Sequence, residues 1–145
     1  MLSTPSSPFS EAYQAQIASG AIEPDAAQAE VAEAYAALDQ RLATYKPQRK
    51  QGLLSRLFSG DKDEAPCGLY VHGEVGRGKT MLMDLFFQAS PVSHKRRAHF
   101  HEFMADVHER IYAYRQEIAR GQLPNADVIA LTANAIFEEA WLLCF

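Results

Sequence analysis

Residues 68–87 read GLYVHGEVGRGKTMLMDLFF. The octapeptide inside them, Gly73-Glu74-Val75-Gly76-Arg77-Gly78-Lys79-Thr80, meets G-x-x-x-x-G-K-S/T at each fixed position. Phosphate needs backbone N–H donors on a curved surface with no side chains in the way. Glycine provides it, because it tolerates positive φ and leaves its amides approachable. The context agrees. Gly68–His72 is apolar, bounded by Pro66 and Gly73, and reads as a short buried strand. Thr80–Ala89 reads as a helix with Leu82, Leu85 and Phe86 inward. A strand ending at the first glycine and a helix opening at the threonine favour a phosphate loop over a Gly-rich turn with a surface lysine.

The octapeptide is therefore the candidate nucleotide site. Gly73, Gly76 and Gly78 would wrap the β-phosphate, aided by the dipole of the helix behind them. Lys79 is the candidate catalytic residue, a point charge bridging the β- and γ-phosphates. Thr80 is the candidate Mg²⁺ ligand through its hydroxyl. Glu74, Val75 and Arg77 occupy the variable positions and contribute backbone. Arg77 reads most simply as solvated, with a phosphate or a neighbouring subunit as alternative contacts. Asp84, within the helix, receives no catalytic assignment.

Toward the C-terminus, Ala98–His101 reads as a second strand, and Phe103, Val107, Ile111, Tyr114 and Ile118 mark a long helix. Gly121–Asp127 is rich in turn residues, Ile129–Ala140 is helical in pattern, and Trp141–Phe145 reads as an apolar strand. Strand–helix–strand–helix alternation implies an α/β fold with a parallel sheet and flanking helices. His99 and His101 would share one face of the second strand, with Glu102 and His108 near in sequence. A metal site is one reading of them; imidazoles bonded to neighbouring loops is the favoured one. Lys95-Arg96-Arg97 reads as a solvated turn.

Toward the N-terminus, Met1–Ser10 is rich in Ser and Pro and reads as a frayed end. Val31, Tyr35, Leu38, Leu42 and Tyr45 recur at steps of four and three. They form one apolar stripe, with a start signal at Asp25 and a stop at Pro47. Packing on the parent domain explains that stripe better than a coiled coil, which needs more heptads. The linker to Glu64 holds Leu53, Leu54, Leu57 and Phe58 among Arg49, Lys50, Arg56 and Lys62. A helical turn docking on the core is the favoured reading; contact with an acidic lipid surface, hence peripheral membrane proximity, or with a partner is the alternative. Three segments result: a flexible N-terminus (1–24), a helix with a basic linker (25–64), and the N-terminal part of a P-loop domain (65–145).

Composition narrows the function classes. The chain has 145 residues, 22% of them charged, and a net charge of −4. That balance gives no support to nucleic acid or an anionic membrane as partner. Nothing basic precedes Arg41, against six acidic residues there, which argues against a mitochondrial transit peptide. Cys67 and Cys144 form no CxxC pair and read as free thiols in a reducing cytoplasm.

The stretch Gly68–Phe87 resembles the ZapE-type cell-division ATPases, bacterial members of an AFG-like family that also has mitochondrial relatives. His99–His108 looks like that family's second strand and following helix, and Trp141–Phe145 like its Walker B strand. The resemblance implies an AAA+-like ATPase that binds ATP with Mg²⁺ and uses hydrolysis to work on a protein. In bacteria the implied partner is the division-ring tubulin FtsZ. In mitochondria the implied role is handling membrane-complex subunits for degradation. The Arg-poor start favours the bacterial, cytoplasmic side.

The family pattern continues beyond its Walker B strand into an Asp-Glu pair, whereas this chain stops at Phe145. The expectation is an incomplete ATPase domain, truncated after that strand, that binds nucleotide weakly and hydrolyses little. The strand that normally lies between the P-loop strand and the Walker B strand comes later in such chains. The two should then leave a gap or pair directly, with apolar edges unpaired. Two rival functions stay open. A P-loop small-molecule kinase would need lid arginines, for which only Arg110 and Arg115 are available between Phe103 and Ala119. A non-catalytic interaction module would use the Asp25–Tyr45 helix to bind a partner, with nucleotide as a structural ligand.

Overall fold

The computed structural model describes residues 6–47 and 65–145. The amphipathic run of Leu53, Leu54, Leu57 and Phe58 and the basic residues around it lie outside the described residues. Five helices and two strands follow one another among the described residues: α1 (Pro8–Ala18), α2 (Ala26–Thr44), α3 (Lys79–Ala89), β1 (Lys95–Arg97), α4 (Phe100–Ala119), α5 (Val128–Glu139) and β2 (Leu142–Cys144). They fall into two compact units, Met1–Val92 and Ser93–Phe145.

In the first unit, α1 packs on both α2 and α3, and α2 on α3. The reading of 1–24 as flexible fails for Pro8–Ala18. Ser7 caps α1, its hydroxyl accepting the Ser10 N–H at 3.1 Å, and Pro8 sits where its missing N–H costs nothing. Two residues on, Phe9 is fully buried. Its ring lies 5.4 Å from Tyr35 of α2 and 6.0 Å from Phe86 of α3, and those two are 4.9 Å apart. Burying a Phe contributes about 1.5–3 kcal/mol, and an aromatic pair on the order of 1 kcal/mol more. That holds a helix whose Ser- and Pro-rich start reads as a loose end.

The stripe on α2 is accounted for inside the unit: Tyr35, Leu38 and Leu42 are buried, and Val31 and Tyr45 half-buried. Packing on the parent chain, not a coiled coil, is what this face does. Leu82 and Phe86 of α3 are buried as the pattern predicts, with Leu85 half-buried. Residues 65–74 contain no strand, contrary to the sequence reading. A strand exists through hydrogen bonds to a neighbour, and among the described residues this segment is paired with none. Leu69 and Tyr70 are accordingly exposed, Tyr70 by 90%.

The second unit holds the sheet. β1 and β2 run parallel, Lys95 opposite Leu142 and Arg97 opposite Cys144, joined through α4 and α5 as a parallel pair requires. The small parallel sheet with helices fits the α/β class; β2 falls within the strand read at Trp141–Phe145, whereas β1 lies just before the one read at Ala98–His101. Lys95–Arg97, read as a solvated turn, is itself β1. Arg96 lies 5.7 Å from the centre of the Phe103 ring and binds Asp106 at 2.6 Å, so its charge is neutralised and its stem covered. Ala98–His101 is not a strand: His99 is the N-cap of α4, and its N–H reaches the Glu102 carboxylate at 3.4 Å. Glu102 three residues after the cap favours helix initiation there. The stripe of Phe103, Val107, Ile111, Tyr114 and Ile118 is half-buried along α4. Ile136 of α5 and Cys144 of β2 are buried.

Candidate functional site

Helices differ in how their first N–H groups are satisfied. Ser7, Asp25 and Asp127 cap α1, α2 and α5 with side-chain oxygens. α3 begins after Gly78, which has no side chain to do so. The donors at its head, and the positive end of its dipole, are left for another acceptor. The chain leading into that head is Gly73–Gly78, and all three of its glycines have positive φ: 148° at Gly73, 83° at Gly76 and 79° at Gly78. Only glycine takes such a run without strain.

Lys79, the first residue of α3, turns back over this loop. Its Nζ donates to the Gly73 carbonyl at 2.8 Å and the Glu74 carbonyl at 2.6 Å. The ammonium thus spans the mouth of the loop, held by two neutral oxygens and, among the described residues, by no carboxylate. Thr80 follows in the exposed first turn. Val75 is 98% exposed at the loop tip. Glu74 and Arg77 are exposed as well, and the Arg77 guanidinium lies 3.7 Å from the Asp25 carboxylate. The eight residues singled out in sequence therefore stand together as one turn and helix head.

Pattern reading misses the opposite wall. A cavity of about 420 Å³ is lined by Asp25, the cap of α2, with Gln28 and Val31 of that helix on one side and His72, Gly73 and Lys79 on the other. The Gln28 amide donates to the Arg77 carbonyl at 3.3 Å. Asp25 is held below the usual carboxylate range, first by the Gln28 backbone N–H it accepts at 2.9 Å and then by Arg77. In sequence these residues carry only a helix-start signal, and no local pattern links them to a loop about fifty positions on.

The other candidates disperse. The His99 and His101 rings stack with centroids 5.9 Å apart at the start of α4. Among the described residues no cluster of three or more His, Cys, Asp or Glu could hold a metal. Arg110, one of the two possible lid arginines, binds Asp106 at 2.8 Å and Glu139 at 2.7 Å. Within the described residues no helix is long and apolar enough to cross a membrane.

The glycine loop and the head of α3, which has no side-chain cap, form one continuous feature, and comparison with protein families defines the class of the chain. The model of the AFG1-like ATPases matches residues 7–145, and the chain belongs to that family. Among its relatives, the cell division protein ZapE of Escherichia coli K12 is 36% identical over 98% of this chain and 37% of its own length. Lactation elevated protein 1 homolog B of Danio rerio is 44% identical over 58% of this chain and 17% of its own. An uncharacterized protein of Schizosaccharomyces pombe is 39% identical over 55% of this chain. The chain thus spans well under half the length of these relatives. No solved structure matches it.

Proposed function

We infer that this chain carries the nucleotide-binding part of an ATPase, with Gly73–Thr80 as the phosphate loop. The observation that carries this is Lys79: a positive charge parked on two loop carbonyls, at the head of a helix with no side-chain cap. A triphosphate would replace those carbonyls with phosphate oxygens, a stronger partner for an ammonium. Lys79 would then bridge the β- and γ-phosphates while the amides around Gly76 and Gly78 hold the β-phosphate. Mg²⁺ fits the donor set: Thr80 offers a hard hydroxyl oxygen beside Lys79, and the ion commonly takes few protein ligands, with phosphate and water completing its shell. When bound, it would supply neutralisation of the phosphate charge.

In the whole protein the reaction proposed is attack of water on the γ-phosphate, coupled to work on a protein partner. The ZapE similarity, which covers nearly all of this chain while the fish and yeast matches cover little more than half, favours a bacterial cell-division role in the cytoplasm. FtsZ is the candidate partner on the resemblance alone. Titration of the chain with Mg-ATP tests the site. Saturable binding that Lys79→Ala weakens at least tenfold supports the reading; equal binding by both forms refutes it.

A further inference from the structure

The spacing Asp25-x-x-Gln28 is that of a reciprocal helix cap, in which the third residue's side chain folds back on the cap's own N–H. Half of that arrangement is present: the Asp25 carboxylate accepts the Gln28 N–H at 2.9 Å. The other half is not. The Gln28 amide turns away from its helix and donates to the Arg77 carbonyl at 3.3 Å, while its own oxygen is buried without a partner. The same amide nitrogen stands 3.0 Å from where a Cβ on Gly78 would be. Asp25 faces the Arg77 guanidinium at 3.7 Å. The first turn of α2 therefore grips one peptide of the loop, Arg77–Gly78, by its carbonyl and by the preceding side chain.

A trans peptide points its carbonyl and its N–H in opposite directions. Holding the Arg77 carbonyl on the α2 side fixes the Gly78 N–H away from α2. We propose that Gln28, supported by Asp25, is a positioning residue for nucleotide binding: it fixes the orientation of the Arg77–Gly78 peptide, and so the direction in which the loop holds the Gly78 N–H. The idea rests on the phosphate-loop reading and adds to it a residue from a distant helix that touches no phosphate itself. It also explains why a capping-type glutamine leaves its own helix: the loop peptide takes the donor that the cap would not use.

Two substitutions separate positioning from mere stability. Gln28→Glu keeps the shape, and a carboxylate in the first turn favours the helix, but it removes the donor to Arg77. Gln28→Met removes the donor without adding charge. The chain carrying either should melt at or close to the unmodified temperature. Mg-ATP affinity should fall about 3-fold to 15-fold, the scale of one lost neutral hydrogen bond, and further for Gln28→Glu. Without nucleotide, the Gly78 amide resonance should move in Gln28→Met, as the carbonyl of its own peptide loses its partner. Should Gln28→Met prove unfolded, Gln28→Glu measured in high salt, which screens its added charge, carries the same test. Affinity within twofold of unmodified, in a background where Lys79→Ala has lost binding, overturns the positioning role and leaves the phosphate loop standing. If Lys79→Ala binds normally too, the underlying site is wrong and this inference falls with it.

Discussion

The side chain of Asp39, in the middle of α2, accepts the backbone N–H of Phe9, in the first turn of α1, at 3.0 Å, and both residues are fully buried. Residues thirty positions apart thus share one of the N–H groups that a helix start leaves unsatisfied. The polar bond sets the angle at which α1 enters, and the Phe9 ring next to it fills the space between α2 and α3. Through Phe86 the same contact reaches α3, the helix whose head forms the candidate site.

Asp39→Ala removes that acceptor and leaves the Phe9 N–H buried and unpaired. Denaturant unfolding should show a loss of about 1.5–3 kcal/mol, the scale for a hydrogen bond to a charged or fully buried group. Asp39→Asn retains an acceptor oxygen and should lose clearly less. Equal losses for the two would mean the Phe9 bond contributes nothing.

Phe86 and Phe137 are the same residue type in opposite surroundings, 1% and 44% exposed. Phe86→Ala should cost about 3–5 kcal/mol by cavity formation. Phe137→Ala should stay within about 1 kcal/mol. Urea titration of both variants checks the contrast, and similar costs would contradict the burial of Phe86.

How far the sequence could be read follows from the range of the interactions. The turn Gly73–Gly78 and the helix start behind it were legible because their geometry is local: three glycines, a lysine and a helix head within eight residues. The stripes of α2 and α4 were legible for the same reason, since helical periodicity is set by neighbours three and four apart. Strands were the weak point. Gly68–His72 has the composition of a buried strand, yet composition cannot supply a pairing partner. Lys95–Arg97 looks like a solvated turn, yet pairing with Leu142–Cys144, far along the chain, makes a strand of it. Phe9, Asp39 and Gln28 share a cause too. Each acts on a residue at least 26 positions away, beyond any local pattern.

Asp106 bridges two arginines, accepting from Arg110 at 2.8 Å and Arg96 at 2.6 Å. The Arg110 bond, then that of Arg96, holds its carboxyl below the usual carboxylate range. A depressed folded-state value means the pair stabilises the protein above the unfolded Asp value, about pH 3.9, and the contribution disappears as pH falls through the lower folded value. Asp106→Asn should therefore cost on the order of 1 kcal/mol at pH 7, as for a partly exposed network. The difference between the two proteins should shrink steadily below about pH 4. A gap that stays constant down to pH 2 would show that the ion pairs are not its source.

Gly78 and Gly121 both have positive φ, 79° and 71°, but only one has a neighbour in the way. At Gly121, which ends α4 with its N–H on the Ile118 carbonyl, a Cβ would meet nothing within 4 Å. Gly121→Ala should cost only the backbone strain, about 1–2 kcal/mol, and leave Mg-ATP binding unchanged. At Gly78 a Cβ would come 3.0 Å from the Gln28 amide and 3.3 Å from the Met81 side chain. The same strain applies there, and the methyl group also pushes on the contact between α2 and the loop. Gly78→Ala should lower Mg-ATP affinity at least tenfold at a stability cost comparable to that of Gly121→Ala. Melting curves and nucleotide titrations on the two variants separate these effects. If Gly78→Ala bound Mg-ATP as tightly as Gly121→Ala does, the close approach of Gln28 to the loop would have no bearing on phosphate.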